Sequence, residues 1–461
     1  MSVSAESDAV VVPTDGMVIR SSVRLKPGVY VLPQGLSVAA DGVTLDGEGV
    51  TLVGCGRRGT GVRVEGRRQV TIRNLALRDY YHGISVRKAS GLTLERNQIA
   101  STGEVPANTV FLNIWHDVER AYGGAILLEQ VEDAEIRDND LQHQMCGLLT
   151  YHCRKLRVRG NNASYNSGFG IHLYETCDSV FEENYADYCC RWEPRDKPPR
   201  LGAGSYGHMG ADAAGFLIVY RSCRNVFRRN FARLGGDGFF LAGRSAAGEA
   251  VPCNDNLFEE NDGSLSPNIA FEATFSEGNV FRNNWADRCN FGFWLGYSRR
   301  NVLEGNRMLF NRQAGIAVEH GVGFEVRHND FQSNGHGILL WTSYVAEFFE
   351  AEPETRTVRD WLIEHNKFYR NGTGIAIRAD RDHGIRPRAP EDSGRPELRP
   401  CDNIIRCNDI QDNRIGIHLA NCDRTTVERN KLNKNVEADL RREDDHDTRV
   451  GHNLGQRGAY L

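Results

Sequence analysis

DSVFEENYADYC, residues 178–189, returns almost unchanged as GNVFRNNWADRC, residues 278–289, and the position they share, an Asn closing a short alternating strand, decides the fold. The same signature runs along the chain as VTIRN, LTLERN, AEIRDN, LRVRGN, VFRRN, LFEEN, VLEGN, FEVRHN, LIEHN, IIRCN, TVERN and TRVGHN. These place an Asn at 74, 97, 139, 161, 184, 230, 261, 284, 306, 329, 366, 408, 430 and 453. Most gaps are 22 or 23 residues, and the exceptions of 42, 46, 31, 37 and 42 read as one turn plus an insertion. After each Asn comes a second strand led by Gly, such as CGLLTY, FGIHLY, DGFFLA, FGFWLG, AGIAVE, HGILLW and TGIAIR. A unit of this length holds short alternating strands without helical periodicity and cannot bury its own apolar face. Stacking units into a coil does bury it. The sequence therefore predicts an all-β chain, a single-stranded right-handed parallel β-helix of about 22–23 residues per turn. The recurring Asn suits a tight turn, where it bonds its own backbone, tolerates left-handed dihedrals and stacks on the Asn of the next turn. Leucine-rich repeats need an LxxLxLxxN pattern that these units lack.

The stretches LKPGVYVL (25–32), GVTLDGEGVTLVG (42–54) and VTIRNLALRDYYHGISV (70–86), followed by the Asn and Gly-led units, resemble the pectate-lyase-like β-helix superfamily with repeats of the NosD type. That resemblance spans nearly the whole chain. It implies a β-helix and a choice among polysaccharide lyases, glycoside hydrolases, sugar epimerases, phage tailspikes and a copper-enzyme maturation factor. The DPHD motif of the alginate epimerases is absent, and the paired-Asp calcium motifs of pectate lyases are not evident.

Composition bounds the rest. With 40% hydrophobic and 25% charged residues over 461 positions the chain can bury a large core. A net charge of −5 argues against a general nucleic-acid or anionic-membrane partner. The opening MSVSAESDAVVVPTDG lacks the basic and apolar regions of an export signal, so the expectation from the chain as written is a cytoplasmic protein, or an exported one whose signal was trimmed. One domain over 1–461 is expected, with residues 1–20 and 437–461 capping the coil ends against edge pairing. Extra segments near 101–120, 190–212, 244–253, 343–359 and 380–402 are expected as loops that build a binding face. Of the twelve cysteines, Cys153, Cys177, Cys223, Cys253, Cys401 and Cys422 lie seven or eight residues before a repeat Asn, and Cys189 and Cys289 five after one. They read as a stacked column of reduced, buried thiols, with the adjacent Cys189 and Cys190 less so.

Period-two alternation within the Gly-led strands turns their second and fourth residues outward. Those residues include Tyr151, His172, Tyr174, Phe240, Glu272, Thr274, Trp294, Glu319, Trp341 and Arg378, a row far more aromatic than a solvated face. Glu272 lies one turn from Trp294 and two from Glu319, with Gly296 leaving a gap. Paired carboxylates spaced for one to protonate a glycosidic oxygen while the other activates water point to a glycoside hydrolase. Glu272 and Glu319 are the expected catalytic pair, with Asp237 the substitute for either and Asp212 a further acid. Tyr151, His172, Tyr174, Phe240, Trp294, Trp341 and Arg378 are expected to bind an oligo- or polysaccharide. No metal and no cofactor are expected, since no HxH or HExxH pattern occurs. An outward Glu on a β-helix is more often merely solvated; the argument rests on acids, aromatics and long insertions coinciding in the middle turns. Two alternatives stay open: a lyase or C5-epimerase on uronic acids, using Arg221, Arg244, Arg378 and the histidines, or a noncatalytic scaffold of the NosD kind. A separate row of Glu129, His152 and Glu175, counted as stacked, reads as a polar ladder, a metal site or a proton relay.

Overall fold

The computed structural model describes residues 9–106, 109, 112–193, 208–209, 213–379 and 398–455. They fall into two compact units, Met1–Asp237 and Gly238–Leu461. Each is a coil of short parallel strands.

In the first unit, Leu36–Val38, Thr60–Glu65, His82–Arg87, Gly124–Glu129, Cys146–Tyr151, Phe169–Tyr174 and Ala214–Val219 stack in parallel as one face. Thr71–Arg78, Thr93–Glu95, Glu132–Arg137, Arg154–Arg159, Val180–Glu182 and Val226–Arg228 form another. The second unit repeats the plan. Ile269–Thr274, Phe291–Trp294, Ala314–Glu319, His336–Thr342, Thr373–Ala379, Ile415–Ala420 and Ala438–Glu443 make its Gly-led face. Leu257–Glu259, Val280–Arg282, Val302–Glu304 and their successors make the face that ends in the repeat Asn. A third face runs through Arg307–Leu309, Asp330–Gln332, Lys367–Tyr369, Asp409–Gln411 and Lys431–Asn433.

Alternation places one side of each strand in the coil interior, where like residues meet like. Phe239, Phe271 and Phe293 stack in sequence at 4.8 and 4.9 Å, and Phe258 lies 4.8 Å from Phe281. The leading Gly is explained by the same stacking. A Cβ at Gly292 would come within 2.6 Å of the Gly315 carbonyl oxygen, and one at Gly337 within 2.5 Å of that of Gly374.

The repeat Asn forms a buried ladder. In the second unit Asn284 donates its backbone N–H and its Nδ2 to Asn306 Oδ1, at 2.9 and 3.0 Å. Asn306 does the same to Asn329, and its Nδ2 also reaches back to the Phe281 carbonyl. In the first unit Asn139, Asn161, Asn184 and Asn230 are joined identically. Asn161 and Asn329 also donate Nδ2 to the carbonyls two residues earlier, those of Arg159 and Arg327. The left-handed residue, however, is generally the one before the Asn. Arg96, Asp138, Glu183, Arg229, Asn283, His328, His365 and Arg429 all have φ between 51° and 58°, and Asn74 alone among the repeat residues adopts it itself. Such dihedrals are costly for residues with a Cβ; the ladder bonds on either side offset that cost. A second Asn ladder, five residues further on, joins Asn311, Asn334, Asn371 and Asn413.

Three of the expected insertions lie mostly within the described residues. Residues 102–122 include the short 3-10 turn Val118–Arg120, Arg244 pairs with Ala250 in an antiparallel bridge, and residues 343–359 include the helix Ala346–Ala351. Trp192–Glu193 pairs antiparallel with His208–Met209. Asp212 and residues 380–397 lie outside the described residues. At the C-terminus, the stretch expected to cap the coil begins as another turn, since Ala438–Glu443 and Arg449–Gly451 each add a strand. At the N-terminus, Ala9–Val11 already pairs with Val23–Leu25. Of the cysteines, Cys146, Cys153, Cys189, Cys253, Cys289 and Cys422 are buried, Cys177, Cys190, Cys223, Cys401 and Cys407 are partly exposed, and Cys55 is exposed. The column is therefore not uniformly internal. Among the described residues no helix is long and apolar enough to cross a membrane.

Candidate functional site

The second unit carries the acidic candidates. Its strand register sets Glu272 beside Trp294, Trp294 beside Ala317, and Ala317 beside Leu339. One alternation further along, Glu319 pairs with Trp341 and Trp341 with Arg378. Trp294 packs edge-on against Phe291 at 4.9 Å and Trp341 at 5.5 Å, in a cluster with Ile269, Ala314, Ala317 and Leu339. Gly296 lies beside it. A Cβ built on Gly296 would stand 3.8 Å from Trp294 Nε1 and 3.9 Å from Glu319 Cβ, meeting nothing closer than 3.6 Å. Trp294 thus has Glu272 one strand away on one side and Glu319 across a glycine on the other.

The two carboxylates sit in different surroundings. Glu272 is partly exposed, whereas Glu319 is only 3% exposed and accepts a hydrogen bond from Ser343 Oγ. Ser343 also donates its backbone N–H to His320 Nε2 at 3.0 Å, and His320 Nδ1 faces the Thr355 carbonyl at 2.9 Å. Burial holds the His320 pKa below its ordinary value, with the Glu319 charge pulling the other way. Beneath the insertion, Phe275, Tyr297 and His320 stack at 4.9 Å steps, and Phe348 of the helix closes over the first two. Arg244 ties the helix end down through Glu352 at 3.1 Å.

The first unit carries a different set. Tyr151 lies 5.1 Å from His172 and 5.4 Å from Tyr174, and Tyr174 stacks on Tyr220 at 4.3 Å. The 102–122 insertion covers them: Trp115 meets Tyr220 at 5.9 Å and Tyr122 meets Phe169 at 6.2 Å. Arg191, paired with Glu104 at 3.4 Å, donates to the carbonyls of Ser167 and Thr109 and fastens that cover. His172 is fully enclosed, between Leu149 and Leu217 in the register, and its Nδ1 has no hydrogen-bond partner among the described residues. Burial alone drives its pKa down to about 3. Burial also raises those of Tyr151 and Tyr174, with Tyr220 adding to the rise at Tyr174.

These faces correct three expectations. The outward residues do point away from the coil interior, yet most are covered: Tyr151, His172, Tyr174, Phe240, Glu319 and Trp341 are all buried, while Glu272, Thr274, Trp294 and Arg378 are partly exposed. An aromatic outer row is there because insertions pack on it. Secondly, Glu129 does not stack with His152 and Glu175. Gly124 pairs with Cys146 rather than Gly147, which moves Glu129 into the row of Arg87 and Tyr151, where it forms an ion pair with Arg87 at 3.1 Å. His152 Nδ1 and Glu175 Oε2 do meet, at 2.7 Å, beside Arg221. Thirdly, Asp237 is 1% exposed and ends the first unit, its N–H bonded to the Ala213 carbonyl. Sequence reasoning missed Ser343 and His320, which lie in and beside an insertion it had marked. It also missed Phe291, which precedes a leading Gly yet joins the outer cluster.

The family model of the right handed beta helix region matches residues 211–348, and that of the periplasmic copper-binding protein NosD matches residues 35–247. The chain is a right-handed parallel β-helix protein. No curated protein matches it. Solved structures similar to it include the A-module of a mannuronan C-5 epimerase from Azotobacter vinelandii, at 15% identity over 80% of this chain and 90% of that one, TM-score 0.40. A mutant of the periplasmic alginate epimerase AlgG is 12% identical over 91% and 79%, TM-score 0.44. The DFA-IIIase of Arthrobacter chlorophenolicus in complex with GF2 is 14% identical over 63% and 70%, TM-score 0.40. Likeness at this level says nothing of chemistry. Among the described residues no three His, Cys, Asp or Glu side chains converge as a metal set.

Proposed function

We propose that this right-handed parallel β-helix protein is a carbohydrate-active enzyme, and that the outer face of its second unit hydrolyses a glycosidic bond with Glu272 and Glu319 as the acid and base. The observation that carries this reading is the placement of Trp294 between two carboxylates, with a glycine, Gly296, beside it. A flat indole offers a sugar ring an apolar face, and a glycine beside it leaves room for the ring. Two turns at ~4.8 Å and two residues at ~3.3 Å put the Glu272 and Glu319 Cβ atoms roughly 12 Å apart. Inclined side chains bring the carboxyl groups to roughly 7–10 Å, overlapping the separation that admits a water between base and anomeric carbon.

Roles follow from surroundings. Glu319 receives the Ser343 hydroxyl and so presents an acceptor oxygen, which suits the base that takes a proton from water. Glu272, partly exposed beside Trp294, is placed to protonate the departing oxygen. Arg378, partly exposed next to Trp341 in the register, is assigned to the sugar-binding surface. The substrate is a neutral or weakly charged oligo- or polysaccharide, because a strongly anionic chain would meet both carboxylates.

A second reading has its own observation. The neutral His172 imidazole beside Tyr151 and Tyr174, whose Nδ1 has no hydrogen-bond partner among the described residues, could take a proton from the carbon next to a uronic carboxylate, as a lyase or C5-epimerase requires. Product analysis separates the two. On a glycan panel, hydrolysis gives new reducing ends without ultraviolet absorbance, whereas elimination gives unsaturated, absorbing sugars. Hydrolysis that survives both Glu272→Gln and Glu319→Gln would sink the first reading.

A further inference from the structure

We propose that Cys177 and Cys223 are a reversible redox pair, a modification site at which a hydroperoxide closes a disulfide between adjacent turns of the first unit.

The register that pairs Val180 with Val226 also sets residue 177 over residue 223. Directly stacked turns are about 4.8 Å apart, inside the Cα separation that a disulfide spans. The two residues are already in contact: the Cys223 backbone N–H donates to Cys177 Sγ at 3.4 Å. Both are partly exposed, which a hydroperoxide requires. Of the other thiols in the column, Cys153, Cys253 and Cys422 are buried, and Cys401, which is partly exposed, stacks beside Asp423 rather than a second cysteine. Charge also favours reaction here. Arg224 bonds Asp178 at 2.7 Å and Arg154 lies 3.8 Å from it, so guanidinium groups flank the pair. The bonds from Cys223, and then Arg224, bring the Cys177 pKa down to about 6 against the opposing effect of burial. Cys177 is therefore the attacking sulfur.

The chemistry balances. Cys177 thiolate attacks the near oxygen of the hydroperoxide, the O–O bond breaks, and a sulfenic acid forms as hydroxide or alkoxide leaves and takes a proton. Cys223 sulfur then attacks the sulfenic sulfur, expelling water and losing its proton. Two thiols become one disulfide and the peroxide is reduced to water, or to an alcohol and water. Oxidation also removes the hydrogen bond that the Cys177 thiol makes to the Arg221 carbonyl at 3.2 Å. Arg221 follows Tyr220, and both have left-handed dihedrals. The change is therefore felt at the Tyr220 ring that stacks on Tyr174 and touches Trp115.

The test uses the full chain, reduced and then exposed to hydrogen peroxide. Non-reducing peptide mapping should find Cys177 joined to Cys223, with a loss of about two mass units that dithiothreitol reverses. Cys223→Ser should stop at a Cys177 sulfenic acid captured by dimedone, and Cys177→Ser should give neither product at that turn. In the untreated protein at neutral pH, Cys177 should be alkylated by iodoacetamide roughly tenfold faster than the more exposed Cys55, since the thiolate is the nucleophile. The proposal is overturned if the joined peptide never appears while other thiols oxidise, or if Cys177 is alkylated no faster than Cys55.

Discussion

On the first unit's outer face Tyr151, His172 and Tyr174 lie sealed beneath the 102–122 insertion, with no carboxylate among the three and an imidazole that burial keeps neutral. On the second unit's outer face Trp294 stands partly open between Glu272 and Glu319, and the histidine next to it, His320, is held by Ser343 and Thr355 and feels the Glu319 charge. Both faces grow from the same Gly-led strands and are covered by insertions from the same kind of turn. The difference teaches that the strand plan supplies only a grid of outward positions. What a position does depends on the insertion packed over it: an apolar cover yields a dry aromatic pocket, and a cover that brings Ser343 yields a held carboxylate.

The sharpest way to break the comparison is to remove the acids. Glu272→Gln and Glu319→Gln should each lower turnover on a verified glycan by about a hundredfold or more, as for lost general acid or base catalysis, with the folded state unchanged by circular dichroism. Near-normal turnover in both would transfer the chemistry to the first face.

The neutral imidazole gives the next largest effect. His172 in the folded chain has a pKa of about 3, below its value of about 6.5 when unfolded. Between those values the unfolded chain binds more protons, so stability falls as pH drops from about 6.5 toward 3, by at most about 1.4 kcal/mol per pH unit. Leu149 and Leu217 flank His172 in the register, so His172→Leu should pack there and remove this part of the acid sensitivity. Urea midpoints at pH 7 and pH 5, compared between the two proteins, read it directly, because other titrating groups cancel. An unchanged difference between the proteins at the two pH values would mean that His172 is not sealed.

Much of this was legible in the sequence because stacking repeats itself. The Asn and Gly columns report a bond and a close approach that recur every turn, so their spacing fixed the strands and the sites of insertion. Register within a strand was legible only where the leading Gly was unambiguous. In GGAILL the residue opposite Gly147 is Ala125 rather than either glycine, so counting from Gly124 moved Glu129 by one residue, enough to change its neighbours. Cover was not legible at all. Nothing in the strand pattern tells that Tyr151 and Trp341 are buried from outside, since that depends on loops with no period of their own.

Ring stacking sharpens the comparison further. Trp294→Ala should weaken glycan binding about tenfold, near 1.4 kcal/mol, and act on KM more than on kcat, because the indole meets bound substrate and transition state alike. Tyr174→Ala should leave that binding unchanged while lowering stability, since its ring is packed between Tyr151 and Tyr220. Isothermal titration with an unhydrolysed oligosaccharide separates the two. Equal loss from both would place sugar on the first face as well.

The smallest expected effect tests how the insertion makes its carboxylate. Ser343 reaches Glu319 through its hydroxyl and His320 through its backbone N–H, and only the first bond depends on the side chain. Ser343→Ala therefore leaves the His320 contact and the stacked Tyr297 ring in place while removing one donor from the proposed base. A single hydrogen bond to a charged group is worth about 1.5–3 kcal/mol when solvent cannot replace it, and less where water enters. Because Ser343 is itself partly exposed, water can take the vacated place. A loss of only about threefold to tenfold in kcat follows, with KM unchanged. Threonine at 343 should restore it, keeping a hydroxyl on the same carbon. If alanine abolished turnover, Ser343 would itself belong to the reacting groups; if it changed nothing, the hydrogen bond would be a by-product of how the insertion packs.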